Sequence, residues 1–205
     1  MSEQTDRPKE KIYYDQRSVA LRTPQSVYFV KEHDKMEMLG LLLNDYKKMQ
    51  VVIVVKSKKK ADALSEFLTS KEFNALAVHG NHREAQQQEA GVKFNEGSLN
   101  VIITTDMILK TLGLENIKLV VNHDLPEDAQ EYYNRLALMK EQGVAMSLVS
   151  VADEGSLADI EFNMKVEIEE RTLEDFVATE APSKSTKRKK KPRHRKNRVR
   201  KEDVD

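Results

Sequence analysis

The 205-residue chain contains no cysteine and no tryptophan, and glycine and proline are scarce, at seven and five residues. Without cysteine, the chain can form neither a disulfide framework nor the thiolate sites that hold structural zinc. No apolar run approaches the roughly 20 residues that a membrane helix needs, and no secretory hydrophobic segment follows Met1. We therefore expect a cytoplasmic protein with no membrane partner.

Several sequence motifs of enzymes are also missing. No glycine precedes a lysine, so there is no P-loop, and neither GxGxxG nor GxSxG occurs. The five histidines lack cysteine partners and the spacing of metal ligands. His79 and His82 lie three residues apart, but at the start of a helix such residues more often cap the helix or face solvent. We assign no catalytic and no metal-binding residue.

The charge is unevenly distributed, although the formal net charge is +0. Residues 184–205 contain 12 Lys and Arg but only three acids, which leaves 22 basic and 31 acidic residues in the rest of the chain. A strongly basic arm on an acidic body is typical of proteins that bind nucleic acid.

Short apolar runs alternate with amphipathic stretches between residues 23 and 177, which we interpret as one domain. The runs predict buried strands at 26–31, 51–55, 74–78, 100–106, 118–124 and, as the last strand, 143–149. Three-to-four spacing predicts helices between them, including one over 33–48, and a last helix over 153–168. This alternation predicts an α/β fold with a mainly parallel sheet flanked by helices. Residues 1–22 are polar, and we expect them to form a flexible lead-in.

Polar residues stand at the ends of three predicted strands: Lys56, Ser57 and Lys58; His79 and Gly80; Thr104, Thr105 and Asp106. In an open parallel sheet these ends meet at one edge, where ligands bind. Lysines, hydroxyls and a glycine that permits close backbone approach suit a phosphodiester backbone. Two alternatives stay open: Asp106 only caps the next helix, and the loops are merely polar, as in most α/β domains.

Residues 178–205 have too few apolar side chains to form a core, so we expect a disordered tail. Its basic run suits phosphate contact with release of counterions, whereas the lack of interleaved aromatic residues argues against base stacking. Extended, the last 22 residues reach on the order of 75 Å. A localisation signal and a solubilising arm are the alternatives. The candidate RNA contacts in the tail are Lys187, Arg188, Lys189, Lys190, Lys191, Arg193 and Arg195.

From about residue 25 to about residue 169 the chain resembles the C-terminal RecA-like domain of DEAD-box RNA helicases. The matching segments are VVIVVKSKKKADALSEFL, FNALAVHGN, KFNEGSLNVIITTD, LVVNHDLPEDAQEYYNR and GVAMSLVS. The resemblance implies a RecA-like fold and RNA as a partner, with ribosomal or helicase-complex proteins as further candidates. Basic tails like this one follow the domain in some bacterial members.

Family positions that face RNA are matched in part. Gly80, Thr105 and Asp106 agree with the family pattern, whereas Asn81 replaces an acid and Gln87 replaces a phosphate-binding arginine. The resemblance therefore implies weaker binding on the domain face, with the tail supplying most of the affinity.

Family positions that face the nucleotide are poorly matched. Gly113 stands where the family has the acid that meets the ATP ribose, and the arginine-rich motif VI becomes the segment 134–140, in which only Arg135 survives. Arginine fingers contribute roughly 10³–10⁵ in rate to phosphoryl transfer, and Lys140 lacks their planar fork.

The family's N-terminal RecA-like domain, with its P-loop and DEAD acid, has no counterpart in this sequence. We therefore expect a non-catalytic RNA-binding protein that needs no cofactor alone and binds ATP only if a partner supplies the other half of the cleft. One alternative is a helicase subunit that acts with a separate N-terminal ATPase half. Another is a protein-interaction module on ribosomal or RNA-processing complexes.

Overall fold

In the computed structural model, which describes residues 15–140 and 142–180, seven parallel strands form one sheet. The order across this sheet is β3-β4-β2-β5-β6-β1-β7, and the α/β fold class predicted from the sequence is confirmed. The strands are β1 (Gln25–Phe29), β2 (Val51–Val54), β3 (Ala75–Val78), β4 (Val101–Thr104), β5 (Leu119–Asn122), β6 (Val144–Val149) and β7 (Glu169–Glu170).

Seven α-helices of the described residues cover both faces of the sheet. They are α1 (Gln16–Arg22), α2 (Lys35–Leu42), α3 (Lys58–Ser70), α4 (Glu84–Asn95), α5 (Asp106–Leu109), α6 (Ala129–Ala137) and α7 (Glu154–Met164). Short 3-10 turns, Glu32–Asp34 and Leu43–Tyr46, flank α2. The single helix predicted over 33–48 is therefore divided into three pieces.

The core consists of two apolar layers, one on each side of the sheet. Side chains of successive strand residues point to opposite faces, so Val52 and Val54 of β2 join the layer under α1, α4, α6 and α7. Val51 and Ile53 join the layer under α2 and α3. β2, β4 and β5 are buried along their whole length, and because they run parallel, the polar residues that follow them all lie at the carboxyl edge of the sheet.

Helix α1 differs from the expectation that residues 1–22 form a flexible lead-in. The Asp15 side chain accepts the Ser18 backbone N–H, and the buried Val19 and Ala20 face α6. Two buried positions in seven residues are too few to show a helical period, so the sequence pattern did not reveal this helix. Residues 1–14 lie outside the described residues.

The chain also continues along the sheet beyond the strand predicted to be last. β7 pairs in parallel with β1, and Leu173 and Phe176 pack against the layer under α2 and α3. Thr179 is bonded to Asp34, so residues 178–180, which we assigned to a disordered tail, lie on the domain. A two-residue edge strand of glutamates carries no apolar signal, so the sequence could not indicate it.

Candidate functional site

An open cleft of about 890 Å³ lies at the carboxyl edge of the sheet. One wall is the exposed segment from Lys56 to Lys59 at the start of α3, and the opposite wall comes from the start of α6. The remaining lining comes from Gly80 and from the junction of β4 and α5. The six predicted strand-end residues that the structure brings together here are Lys56, Ser57, Lys58, Gly80, Thr105 and Asp106.

The basic wall is held by local hydrogen bonds at the start of α3. The Ser57 hydroxyl oxygen accepts the Lys60 backbone N–H at 3.2 Å and so caps the helix. The Lys58 ammonium donates to the Asn81 side-chain oxygen at 2.8 Å, which places its charge beside Gly80. A Cβ on Gly80 would lie 3.6 Å from Lys58 Nζ, an ordinary contact, so the missing side chain leaves room in the cleft without being required by packing.

Two predicted contact residues do not line the cleft. His79 is buried, and its Nε2 lies 2.8 Å from Asp62 Oδ1 while its backbone N–H donates to His82 Nδ1 at 3.1 Å. Thr104 is fully buried in the central strand β4. Both residues shape the loops that carry Gly80 and Thr105, and neither presents a side chain to the cleft.

Arg135 and Asp106, which match two different motifs of the family in the sequence, form a bidentate ion pair. Arg135 Nε and Nη2 donate to the two carboxylate oxygens of Asp106, each at 2.7 Å. Arg135 Nη1 donates to Asn122 Oδ1 at 2.8 Å and to the Asp124 carbonyl at 2.9 Å. The Arg135 side chain is therefore used to join α6, α5 and β5, and it is not available to a ligand.

A network of buried charged side chains lies next to the cleft and holds the Lys56 backbone in place. Asp124 accepts the Lys56 backbone N–H at 2.9 Å and the Lys60 ammonium at 2.7 Å. Lys35, which is fully buried, donates to the His123 carbonyl at 2.9 Å and to Asp153 at 2.6 Å. The sequence gives no sign that Lys35 is buried, because a lysine at the start of an amphipathic helix is normally exposed.

The network fixes the charge of its members. Burial by itself raises the pKa of Asp124, but the imidazole of His123, whose Nδ1 lies 3.5 Å from Asp124 Oδ1, and hydrogen bonds from the Lys56 N–H and Lys60 outweigh it and hold that pKa well below the ordinary value. Burial likewise opposes the lowered pKa of Asp153, which the bond from Lys35 maintains. Burial lowers the pKa of Lys60, whereas its bonds to Asp124 and Glu32 raise it overall. The positive charge of Lys60 is thus balanced by Asp124 and Glu32. The lysines that line the cleft are Lys56, Lys58 and Lys59.

The wall opposite these lysines is acidic. Glu127, Asp128 and Glu131 line it, and Glu131 is paired with Lys110 at 2.8 Å. From the sequence we interpret this segment only as a helix start, and its place in the cleft is not predicted. Because it follows β5, the shared carboxyl edge of parallel strands was a signal that could have revealed it.

The end of α6 is apolar where the family motif carries arginines. Leu138 packs against the core and Met139 is buried, and the chain then turns through Lys140 at a φ of 48°. A Cβ on Gly143 would lie 2.7 Å from Met139 Sδ and 2.8 Å from the Lys118 carbonyl, so only glycine fits this return to β6.

The candidate residues of the basic tail, 187–195, lie outside the described residues. Within residues 15–140 and 142–180, no group of three or more His, Asp or Glu side chains is placed to hold a metal ion. The helices in that part of the chain are too short or too polar to cross a membrane.

The parallel sheet with its cleft at the strand ends defines a RecA-like α/β domain. The sequence profile of the family described as "Helicase conserved C-terminal domain" matches residues 34–137. That match covers more than half of the chain, and the chain belongs to this family.

Curated relatives support the same assignment. The chain is 34% identical to ATP-dependent RNA helicase eIF4A of Mycosarcoma maydis over 146 residues, which is 70% of this chain and 36% of the relative. It is 32% identical to ATP-dependent RNA helicase SUB2 of Eremothecium gossypii over 168 residues, which is 80% of this chain and 38% of the relative. The chain thus spans little more than a third of the length of these relatives.

Solved structures share the fold. E. coli DEAD-box protein SrmB, in a complex with regulator of ribonuclease activity A, has a TM-score of 0.72 at 23% identity, over 78% of this chain and 98% of that one. S. cerevisiae Dbp5, bound to RNA and ADP BeF3, has a TM-score of 0.67 at 23% identity, over 77% of this chain and 44% of that one. The predicted resemblance to the C-terminal domain of DEAD-box helicases is confirmed.

Proposed function

We propose that this domain binds the phosphate backbone of RNA at the carboxyl edge of its sheet and does not itself hydrolyse ATP. The observation that carries the proposal is the convergence of Lys56, Ser57, Lys58, Gly80 and Thr105 around one cleft. Lysine ammonium groups, hydroxyls and accessible backbone are the groups that proteins use to hold phosphates. Relatives of the chain are named ATP-dependent RNA helicases, which supports RNA as the ligand.

The distribution of charge supports binding of a backbone along the α3 wall rather than across the whole cleft. Lys56, Lys58 and Lys59 are exposed there, and the first turn of α3 adds its favourable dipole. The acids at the start of α6 repel phosphate and so restrict the strand to the opposite side. The tail, with 12 Lys and Arg at residues 184–201, supplies most of the affinity in this proposal.

The absence of ATP hydrolysis in the proposal rests on the end of α6. Arg135 is bound to Asp106, Asn122 and Asp124, and the residues that follow are apolar and packed on the core. No arginine of this segment is free to stabilise charge on a transferring phosphoryl group. Such a group is worth about 10³–10⁵ in rate in related chemistry.

The test compares the full chain with a Lys58→Gln, Lys59→Gln double variant on single-stranded RNA across a salt series. For single strands the slope of log K against log salt is about −0.7 per phosphate neutralised, so the double variant should bind more weakly with a slope flatter by about 1.4. Lys71→Gln is the control, because Lys71 is exposed at the far end of α3 and pairs with Glu37. An unchanged slope of log K against log salt in the double variant would show that the cleft does not contact RNA phosphates.

A second candidate is a helicase component completed by a separate ATPase half. The observation that favours it is the place of Met107, an apolar side chain that lines the cleft, is 78% exposed and would be buried by a second domain packed on this edge of the sheet. Adding ATP to the same titrations separates the two. RNA affinity that does not respond to ATP supports the passive binder, whereas an ATP-dependent change supports the helicase component.

A further inference from the structure

The two edges of the sheet differ in how well they are protected against pairing with another chain. At one edge, β7 consists of Glu169 and Glu170, and charged side chains on an edge strand discourage further pairing. At the other edge, β3 has the sequence ALAV, with no charged residue and no proline. Within residues 15–140 and 142–180, no strand pairs with the outer side of β3. An edge of this kind can accept an additional strand.

The backbone of β3 presents hydrogen-bonding groups at this outer edge. The Asn74 carbonyl accepts the Val101 N–H at 3.0 Å, so it points toward β4. Backbone groups of successive strand residues point to opposite sides, so Ala75 and Ala77 direct theirs away from β4. The Ser65 hydroxyl of α3 donates to the Ala75 carbonyl at 3.4 Å. The N–H and the carbonyl of Ala77 therefore face the position that an added strand would occupy.

A groove of about 660 Å³ lies beside this edge, between β3 and α3. Leu76 is an apolar side chain of the edge strand and is 42% exposed there. The described lining combines acids, hydroxyls and apolar groups and contains no cationic side chain. Its members are Asp62, Ser65, Glu66, Thr69 and Ser70 of α3, together with Leu76 and Ala77 of β3.

The acids of the groove are placed where they repel each other. Asp62 and Glu66 are exposed and stand four residues apart on α3, a spacing at which like charges are unfavourable. Asp62 Oδ1 lies 2.8 Å from His79 Nε2. Among the described residues no cationic side chain forms an ion pair with Glu66. A Lys or Arg side chain of a bound partner would relieve this repulsion, so the groove is complementary to a basic ligand.

We propose that the outer edge of β3 binds an extended basic segment of a partner protein, in which Lys or Arg alternates with Thr or Val. In such strand addition, main-chain hydrogen bonds supply affinity and alternate side chains supply specificity. Because strand side chains alternate between two faces, the basic ones enter the groove beside Asp62 and Glu66 while the others lie beside Leu76. β3 has four residues, so the pairing extends over about 13 Å. This site is separate from the proposed RNA-binding cleft.

The test titrates the full chain into a fluorescently labelled peptide, Lys-Thr-Lys-Val-Lys-Thr, and follows its anisotropy. Glu66→Lys should weaken binding by about threefold to tenfold, because an attractive contact becomes a repulsive one. Glu115→Lys is the matched control, since it makes the same change of net charge at an exposed position before β5 and should keep wild-type affinity. Equal losses in the two variants would show attraction to the acidic body as a whole and would overturn the proposal, as would a peptide that does not bind.

Two N-methylated forms of the peptide test whether it pairs as a strand. Methyl groups on one set of alternate residues remove every N–H that faces β3, whereas methyl groups on the other set leave those N–H groups intact. One form should bind about tenfold more weakly and the other like the unmodified peptide. Equal affinities of the two forms would exclude strand pairing. Sedimentation of the full chain gives the remaining check, because a dimer that Glu66→Lys dissociates would identify a second copy as the occupant and contradict the proposal.

Discussion

Arg135 shows how a residue at a ligand-binding motif position becomes part of the framework. It is the largest fully buried side chain of the described residues, and its guanidinium joins three elements through Asp106, Asn122 and the Asp124 carbonyl. A buried guanidinium is stable only when its donors are satisfied, and here Nε, Nη1 and Nη2 all have acceptors. The pairing also balances the charge of Asp106, an acid that lines the cleft.

Arg135→Lys should destabilise the protein by about 1–3 kcal/mol, because an ammonium lacks the planar fork and cannot satisfy Asp106, Asn122 and the Asp124 carbonyl together. Urea unfolding measures the change. Arg83→Lys is the control, since Arg83 is exposed at the start of α4 and surface changes of this kind stay within about 0.5 kcal/mol. Equal midpoints for the two variants would contradict the structural role of Arg135.

The regular elements differ in how clearly their sequences predicted them. The sequence predicts β2, β4 and β5 because VVIV, VIIT and LVVN are short apolar runs bounded by polar residues, as expected of strands that are buried on both faces. α1 and β7 were missed because their stability comes from tertiary contacts with α6 and β1, which no local pattern records. The site divides in the same way. Strand-end residues such as Gly80 and Thr105 follow from topology, whereas the burial of Lys35 and Thr104 depends on what packs over them.

Helix α1 provides a test at two neighbouring positions. Ala20 is fully buried in the layer shared with α6, whereas Leu21 is 38% exposed on the same helix. Ala20→Asp should cost several kcal/mol, because it places an unpaired carboxylate in the core or forces α1 to leave α6. Leu21→Asp has nearly the same helix propensity effect and should cost less than about 1 kcal/mol. Thermal unfolding compares them, and equal losses would show that α1 is not part of the cooperative unit.

The charge network acts at the scale of the whole domain, because it joins elements that lie far apart in sequence. Lys35 of α2 contacts Asp153 before α7 and the carbonyl after β5, while Asp124 connects the β5 end to α3 and to the β2 loop. The cleft wall and elements of both helical layers are therefore joined by one set of buried charges. Its carboxylates Glu32, Asp124 and Asp153 all have lowered pKa values, opposed by burial and maintained by their hydrogen-bond donors.

The lowered pKa values of these carboxylates determine how the free energy of unfolding depends on pH. Carboxylates whose folded pKa is lowered stabilise the protein above their unfolded pKa, about 4, and that stability is lost as pH falls through the folded values. The free energy of unfolding should therefore change little from pH 7 to pH 5 and fall steeply below about pH 4.

Lys35→Met should cost about 3–5 kcal/mol at pH 7, because it leaves Asp153 buried without its cation. The difference from wild type should shrink toward pH 3, where Asp153 becomes protonated in the variant and no longer needs that partner. A difference of the same size at pH 7 and pH 3, measured by urea unfolding, would show that the Lys35–Asp153 ion pair does not stabilise the fold.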